Sequence, residues 1–218
     1  MRAVLLSDLH LGSPACRVVA LTQLLERLHA DTPDAVVLNG DTLDHLDFRR
    51  LPPRHAAALV RLRRLEARTR VVWIAGNHDG PAHVLSAILG ARVEADYVLE
   101  SGGRRLLCLH GHDCDPYVRW PLLTLAGDLA YGALVRLDRS RRLAAWAKRA
   151  SKHYSHCVEA VREGAEARRL TGGYDAVACG HTHAPEAGAT YFNSGSWTEE
   201  AATYLEVVDG EVLLRRAE

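Results

Sequence analysis

Seven residues of this chain are of the kinds that bind hard or borderline divalent cations: Asp8, His10, Asp41, Asn77, His110, His181 and His183. Carboxylate, carboxamide and imidazole without a thiolate suit Mn²⁺, Fe²⁺, Co²⁺ or Zn²⁺, whereas a structural zinc normally recruits cysteines. Seven ligands exceed what one tetrahedral ion takes. Two ions roughly 3.5–4 Å apart, bridged by one carboxylate, would use the whole set and leave positions for water and a phosphate oxygen. Asp41 is the natural bridge.

Each ligand follows a short apolar run: AVLLSDLH, AVVLNGD, VVWIAGNHD, LLCLHGH and AVACGHTH. Such a run, bounded by glycine and polar residues, reads as a strand buried on both faces, and open α/β sheets gather ligands at the C-terminal ends of their strands. Residues 15–30 and 55–69 carry leucine, valine and alanine every three to four positions, as helices covering a sheet do. Past His183 the pattern turns to TYFNSGS and TYLEVVDGEVLLRR, where Asp209-Gly210 between two β-rich runs marks a hairpin. Parallel βα units with an antiparallel end predict an α/β fold of two packed mixed sheets flanked by helices.

The ordered series Asp8-Leu9-His10, Gly40-Asp41, Gly76-Asn77-His78-Asp79, His110 and Gly180-His181-Thr182-His183 resembles the complete calcineurin-like metallophosphoesterase signature. The resemblance implies a four-layer sandwich and a dinuclear site, with Mn²⁺ as the leading metal. By likeness to the family, Asp8, His10 and His183 would hold the first ion with bridging Asp41, and Asn77, His110 and His181 the second. His78 would face the substrate, stabilising phosphoryl oxygens or protonating the leaving oxygen, with Asp79 orienting its ring. Water activated near neutral pH by the ions would be the nucleophile.

With 218 residues, 48% of them hydrophobic, the chain suits one large α/β domain over residues 1–218. Lys plus Arg (27) balance Asp plus Glu (27), so there is no global basic field, and no nucleic-acid partner is expected. Cys16, Cys108, Cys114, Cys157 and Cys179 are odd in number and lack CxxC spacing, which reads as reduced thiols. The first apolar run starts within a few residues of Met1, and no apolar run approaches ~20 residues. The expectation is a cytoplasmic protein, with peripheral contact to the inner face of the cell membrane as its one membrane option.

Between the fourth and fifth ligand-bearing runs, Asp113 to Gly173 is longer than a crossover needs and reads as mostly helical. It holds Tyr117, Trp120, Tyr131, Trp146 and Tyr154, together with the only two lysines, Lys148 and Lys152, among arginines that include Arg149. Two readings stand: amphipathic helices packed on the core with solvated basic faces, or a helical cap at about 113–173. A cap would be apolar toward a greasy substrate and basic toward phosphates or an anionic membrane surface. HGHDCDPYVRWPLLTLAGDLAYG, SKHYSHCVEAV and CGHTHAPE followed by TYFNSGSW resemble the UDP-2,3-diacylglucosamine pyrophosphatase-like branch. That resemblance implies hydrolysis of a lipid-linked pyrophosphate to a lipid sugar phosphate and UMP. The chain departs from that branch at His78, where it typically has arginine, and at His112, where it has an acidic residue. The alternatives are a cytosolic phosphodiesterase or phosphatase acting on nucleotides or small phosphoesters, and a non-catalytic metal-stabilised scaffold, against which His78 and Asp79 argue.

Candidate substrate contacts are His112, two residues past His110 and so on the same side, Trp120, Tyr131, Lys148, Arg149, Lys152 and Asn193. For Asn193, Ser194 and Ser196 a plain turn is an equal reading. His153 and His156, three apart on one helix, are candidates for substrate rather than metal. His29, His45, His55 and His83 are expected on helix surfaces or loops, solvated or capping.

Overall fold

The computed structural model describes residues 1–118 and 152–217. Four strands run parallel in one sheet: β1 (Arg2–Leu6), β2 (Ala35–Asn39), β3 (Arg70–Ile74) and the short β4 (Val93–Glu94). The second sheet begins with an antiparallel pair, β5 (Asp96–Ser101) and β6 (Arg104–Leu109). It continues with β7 (Ala176–Cys179), β8 (Glu186–Ala187) and β9 (Tyr191–Asn193), in the order β5-β6-β7-β9-β8. The chain then returns to the first sheet as β10 (Thr203–Val208) and β11 (Glu211–Arg216), giving the order β11-β10-β1-β2-β3-β4. Both sheets are mixed, as the change of pattern after His183 predicts.

Side chains alternate across a strand, so a run that is apolar throughout must be covered on both faces. Ala3 and Leu5 of β1, Ala35 and Val37 of β2, and Val72 and Ile74 of β3 meet Leu106 and Cys108 of β6, Ala176 and Ala178 of β7, and Phe192 of β9 between the sheets. Val4, Leu6, Val36, Leu38 and Trp73 face the other way, onto α1 (Val18–Ala30) and α2 (Pro53–Leu65). The leucines of those helices, Leu21, Leu24, Leu25 and Leu28 with Leu59, Leu62 and Leu65, bury their apolar stripe there. On the far side of the second sheet, Leu107, Leu109, Val177 and Cys179 pack with Ala165. That alanine belongs to α4 (Lys152–Gly172), which among the described residues is the next α-helix after the short α3 (Ala82–Leu89). Helix, sheet, sheet, helix is the four-layer α/β sandwich.

The hairpin joining β10 and β11 turns at Asp209 (φ 47°) and Gly210 (φ 86°), the two left-handed residues that a type I′ turn requires. The helices expected at 15–30 and 55–69 run over Val18–Ala30 and Pro53–Leu65. Of the expected cap, α4 is described, and its buried Val161 and Ala165 make it the outer layer of the second sheet. Trp120, Tyr131, Trp146, Lys148 and Arg149 lie outside the described residues. Lys152 opens α4, and its side chain is likewise outside the description. Among the described residues no helix is long and apolar enough to cross a membrane, and all five cysteines are free thiols.

Candidate metal centre

The two sheets bring their C-terminal strand ends together along one edge. Asn39 at the end of β2 helps to hold this register, its amide donating to the carbonyls of Leu109 (3.0 Å) and Ala178 (3.2 Å) in the other sheet. Just past these ends the backbone kinks sharply. Asp8 (φ 53°), His10 (φ 46°), Asp41 (φ 51°), His181 (φ 64°) and His183 (φ 55°) are all left-handed; the one other such non-glycine residue among those described is Asp209 of the hairpin turn. An L-residue in that region costs roughly 1–3 kcal/mol, so the strain concentrates on the candidate ligands.

The side chains meet as three overlapping groups, each with its donor atoms within 4.8 Å of one another: Asp8, His10 and His183; His10, Asp41 and His78; and Asp41, His110 and His181. Asp41 and His10 each belong to two of them. His183 Nε2 lies 3.2 Å from Asp8 Oδ1 and 3.3 Å from His10 Nε2. Asp41 Oδ2 is 3.3 Å from His110 Nε2 and 3.8 Å from His10 Nε2. Asn77 joins the second half, its Oδ1 3.3 Å from His110 Nε2. Two glycines make this approach sterically feasible. A Cβ on Gly40 (φ 87°) would sit 2.3 Å from the His110 ring, and one on Gly76 would sit 2.1 Å from Asp41 Oδ1.

The electrostatics follow from carboxylates buried among imidazoles. Burial raises the Asp8 pKa, yet His183 and His110 reverse the effect and bring it to about 2. Burial likewise opposes ionisation of Asp41, and His110, His10 and His78 hold its carboxyl well below the usual range. His110 is the reciprocal case: burial pushes its imidazole down, but Asp41 and Asp8 bring it up to about 10. The oxygen and imidazole donors of the three groups, without a thiol, fit two divalent ions.

Around the groups sits a layer of residues that sequence spacing does not single out. Asp44 Oδ1 is 3.3 Å from His10 Nδ1. Asp115 Oδ2 is 2.8 Å from His181 Nε2. Thr198 Oγ1 (3.4 Å) and Glu199 Oε1 (3.6 Å) approach His183 Nδ1. Carboxylates behind metal-binding histidines fix ring orientation and tautomer. The signal was present only as acidic residues within GDTLD, HGHDCD and SWTEE.

Several expected contacts take another form. Asp79 does not orient His78: its buried carboxylate accepts the backbone N–H groups of Leu43 (2.8 Å), Gly76 (3.0 Å) and Thr42 (3.3 Å), clamping the loops after β2 and β3. Burial, with Asp41 nearby, raises its pKa. His78 instead donates its own backbone N–H to Asp41 Oδ1 (2.8 Å), its Nδ1 lies 3.4 Å from the Asp44 carbonyl, and its ring meets His10 edge-on at 4.7 Å.

Asn193 is fully buried, its amide donating to Gly180 O (2.8 Å) and Thr182 Oγ1 (3.1 Å) and its oxygen accepting from Gly195 N–H (2.9 Å). It braces the loop that carries His181 and His183. Ser194 and Ser196 are also buried, bonded to Ser7 Oγ and the Asp8 carbonyl. His112 stands beside the centre, its ring 5.4 Å from His110 and 6.4 Å from His181. His156 pairs with Tyr117 Oη at 3.0 Å. His55, expected on a surface, is buried and accepts the Gly12 N–H at 3.0 Å, because α2 turns it inward beneath the loop after β1.

Comparison with known structures agrees on the fold. Over its full length the chain is similar to the phosphoesterase Yfce from E. coli (18% identity, 100% of both chains, TM-score 0.52). It is similar to a single-mutant form of Vps29 from Entamoeba histolytica (15% identity, 99% of this chain and 98% of that one, TM-score 0.53). The hypothetical protein PH1004 from Pyrococcus horikoshii gives 13% identity over 100% of this chain and 88% of that one, with a TM-score of 0.54. Curated protein sequences give no match. The calcineurin-like phosphoesterase family matches residues 1–185, a stretch that contains every candidate ligand, and the chain belongs to that family.

Proposed function

We propose that this chain is a dinuclear metal-dependent phosphoester hydrolase. The observation that carries the reading is the convergence of Asp8, His10, Asp41, His110, His181 and His183 into overlapping groups linked through His10 and Asp41. Asp8, His10 and His183 would hold one ion, Asn77, His110 and His181 the other, and Asp41 both, with Mn²⁺ the leading metal. When bound, the ions supply positive charge for a phosphoryl oxygen and lower the pKa of water.

The chain's own residues do the rest. His78 is a member of the group with His10 and Asp41, its backbone N–H tied to Asp41 and its ring edge-on to His10. There it contacts phosphoryl oxygens or protonates the leaving oxygen. His112, with a buried Nδ1 that has no hydrogen-bond partner among the described residues, is a further phosphate contact. Asp79 and Asn193 keep the ligand loops in place.

For the substrate, the leading reading is the pyrophosphate of a UDP-2,3-diacylglucosamine-like lipid, cleaved to a lipid sugar phosphate and UMP. It rests on the resemblance of the segments around Asp113–Gly173 and Gly180–Trp197 to that branch. Trp120, Tyr131, Lys148, Arg149 and Lys152 are its candidate substrate contacts, and an anionic membrane surface is the matching peripheral partner. Nucleotides and small phosphoesters are the second reading, favoured by His78 in place of arginine.

Metal-free enzyme reloaded with Mn²⁺ and given UDP-diacylglucosamine, deacylated UDP-glucosamine, a phosphodiester and a phosphomonoester side by side separates these. The lipid reading expects kcat/KM to be highest by orders of magnitude for the diacylated compound, since each buried methylene is worth about 0.8 kcal/mol. Equal values with and without acyl chains would leave the nucleotide or small-phosphoester reading. No turnover of any compound by protein holding two ions would favour a scaffold.

A further inference from the structure

The candidate ligand His181 is gripped from behind. Its Nε2 lies 2.8 Å from Asp115 Oδ2, and the two side chains are largely buried. Asp115 is itself fixed: Oδ1 accepts the Tyr117 backbone N–H at 2.8 Å, and Oδ2 also accepts from Cys157 Sγ at 3.2 Å. Cys157 lies on α4, which also touches the His181 loop directly where Tyr154 Oη donates to the Thr182 carbonyl at 3.1 Å, between His181 and His183. With Nε2 engaged by a carboxylate, Nδ1 is the nitrogen left for the Asp41 and His110 group.

We propose that Asp115 is a positioning residue for the second ion, selecting the Nε2–H tautomer of His181 so that Nδ1 carries the lone pair toward the centre, with Cys157 seating Asp115 from α4. The inference deepens the dinuclear reading and rests on it. An imidazole in the wrong tautomer presents N–H, not a lone pair, to a cation. A carboxylate behind the ring also makes its ligand nitrogen more basic, and loss of such a partner typically costs about 10–100-fold in metal affinity.

The distinguishing variant is Asp115→Asn. The Tyr117 N–H claims the amide oxygen, so the NH₂ faces His181 and donates to Nε2, which imposes the opposite tautomer. Loss of a merely structural Asp115 would weaken both ions alike through a loss of metal-free stability, whereas loss of a positioning Asp115 weakens one. The test titrates the metal-free full chain with Mn²⁺ by calorimetry and reads the His181 ring nitrogens by ¹H–¹⁵N NMR in metal-free and Zn²⁺-loaded protein.

Expected are Nε2–H in the natural chain and Nδ1–H in Asp115→Asn. One of the two ions should bind about 10–100-fold more weakly in both Asp115→Asn and Asp115→Ala, with the affinity of the other ion unchanged. Cys157→Ser, which keeps a donor, should leave both affinities as they were. Asn restoring both affinities, equal loss of both ions, or Nδ1–H in the natural chain would overturn the proposal. So would a thiolate-to-metal absorption band with Cd²⁺ that Cys157→Ser removes, since Asp115, Cys157 and His181 would then hold an ion of their own. Fewer than two ions in the natural chain would count against the dinuclear reading, while the His181 tautomer would still decide the role of Asp115.

Discussion

At the scale of single residues, the site spends local conformational energy to aim its ligands. Five candidate ligands sit at positive φ, where an L-residue is disfavoured. The buried carboxylates are arranged so that Asp41 faces imidazoles from both sheets, through His10 and His110. Asp41→Asn should therefore lower metal content at both sites, because two adjacent cations would lose the anion between them. Elemental analysis of the purified variant that still finds two ions per chain, with full turnover, would remove Asp41 as the bridge. His78→Ala should keep both ions and lose about 10²–10⁴-fold in turnover. With a nitrophenolate leaving group the loss should shrink, since such a group departs without a proton; equal losses on activated and ordinary esters would leave His78 an electrostatic role alone.

At the scale of elements, the loops after β2, β3 and β7 are braced by buried polar residues, Asp79 and Asn193. Asn193 uses both ends of its amide on the loop after β7 and on Gly195. Asn193→Ala would leave the buried Gly195 N–H without its partner, at about 1–3 kcal/mol, while the Gly180 carbonyl keeps the Thr182 N–H. The urea midpoint should drop accordingly, and unchanged stability with a raised KM would instead make Asn193 a substrate contact. What the sequence made legible follows the same division. The ligand-bearing strands announce themselves as apolar runs covered on both faces, α1 and α2 as leucine stripes, and the last hairpin as Asp209-Gly210. By contrast, α3 (AHVLSAIL) is too short and too uniformly apolar to show a helical stripe, and β5 (DYVLES) is too polar to stand out as a buried run. Asp44, Asp115 and Glu199 escaped because they reach their histidines through tertiary folding, with no fixed spacing to reveal it. Asp79 and Asn193 were visible as polar residues in the right motifs, but only the hydrogen bonds show that they serve the backbone.

For the whole molecule, the decisive fact is that the candidate ligands come from both sheets. Asp8, His10, Asp41 and Asn77 follow strands of the first, and His110, His181 and His183 follow strands of the second. Between the sheets lies an apolar layer of small and medium side chains, with Asn39 reaching across beside the site. Ions bound at the edge would therefore staple the two sheets at the point where buried carboxylates most need compensating charge. A ligand that binds only the folded state stabilises it by RT ln(1 + [L]/Kd), about 4.1 kcal/mol at a thousandfold excess over Kd. For a chain of this size each kcal/mol moves the melting temperature by roughly 2–4 °C, so saturating Mn²⁺ should raise it by roughly 8–16 °C over chelator-treated protein. Asp41→Asn should lose most of that increment, whereas His78→Ala should keep it, because the first removes charge shared by both ions and the second leaves the candidate ligands intact. The measurement is a thermal scan of all three proteins with EDTA and with Mn²⁺. A melting temperature of the natural chain that ignores both additions would mean that no ion spans the sheets, however well the side chains are arranged to receive one.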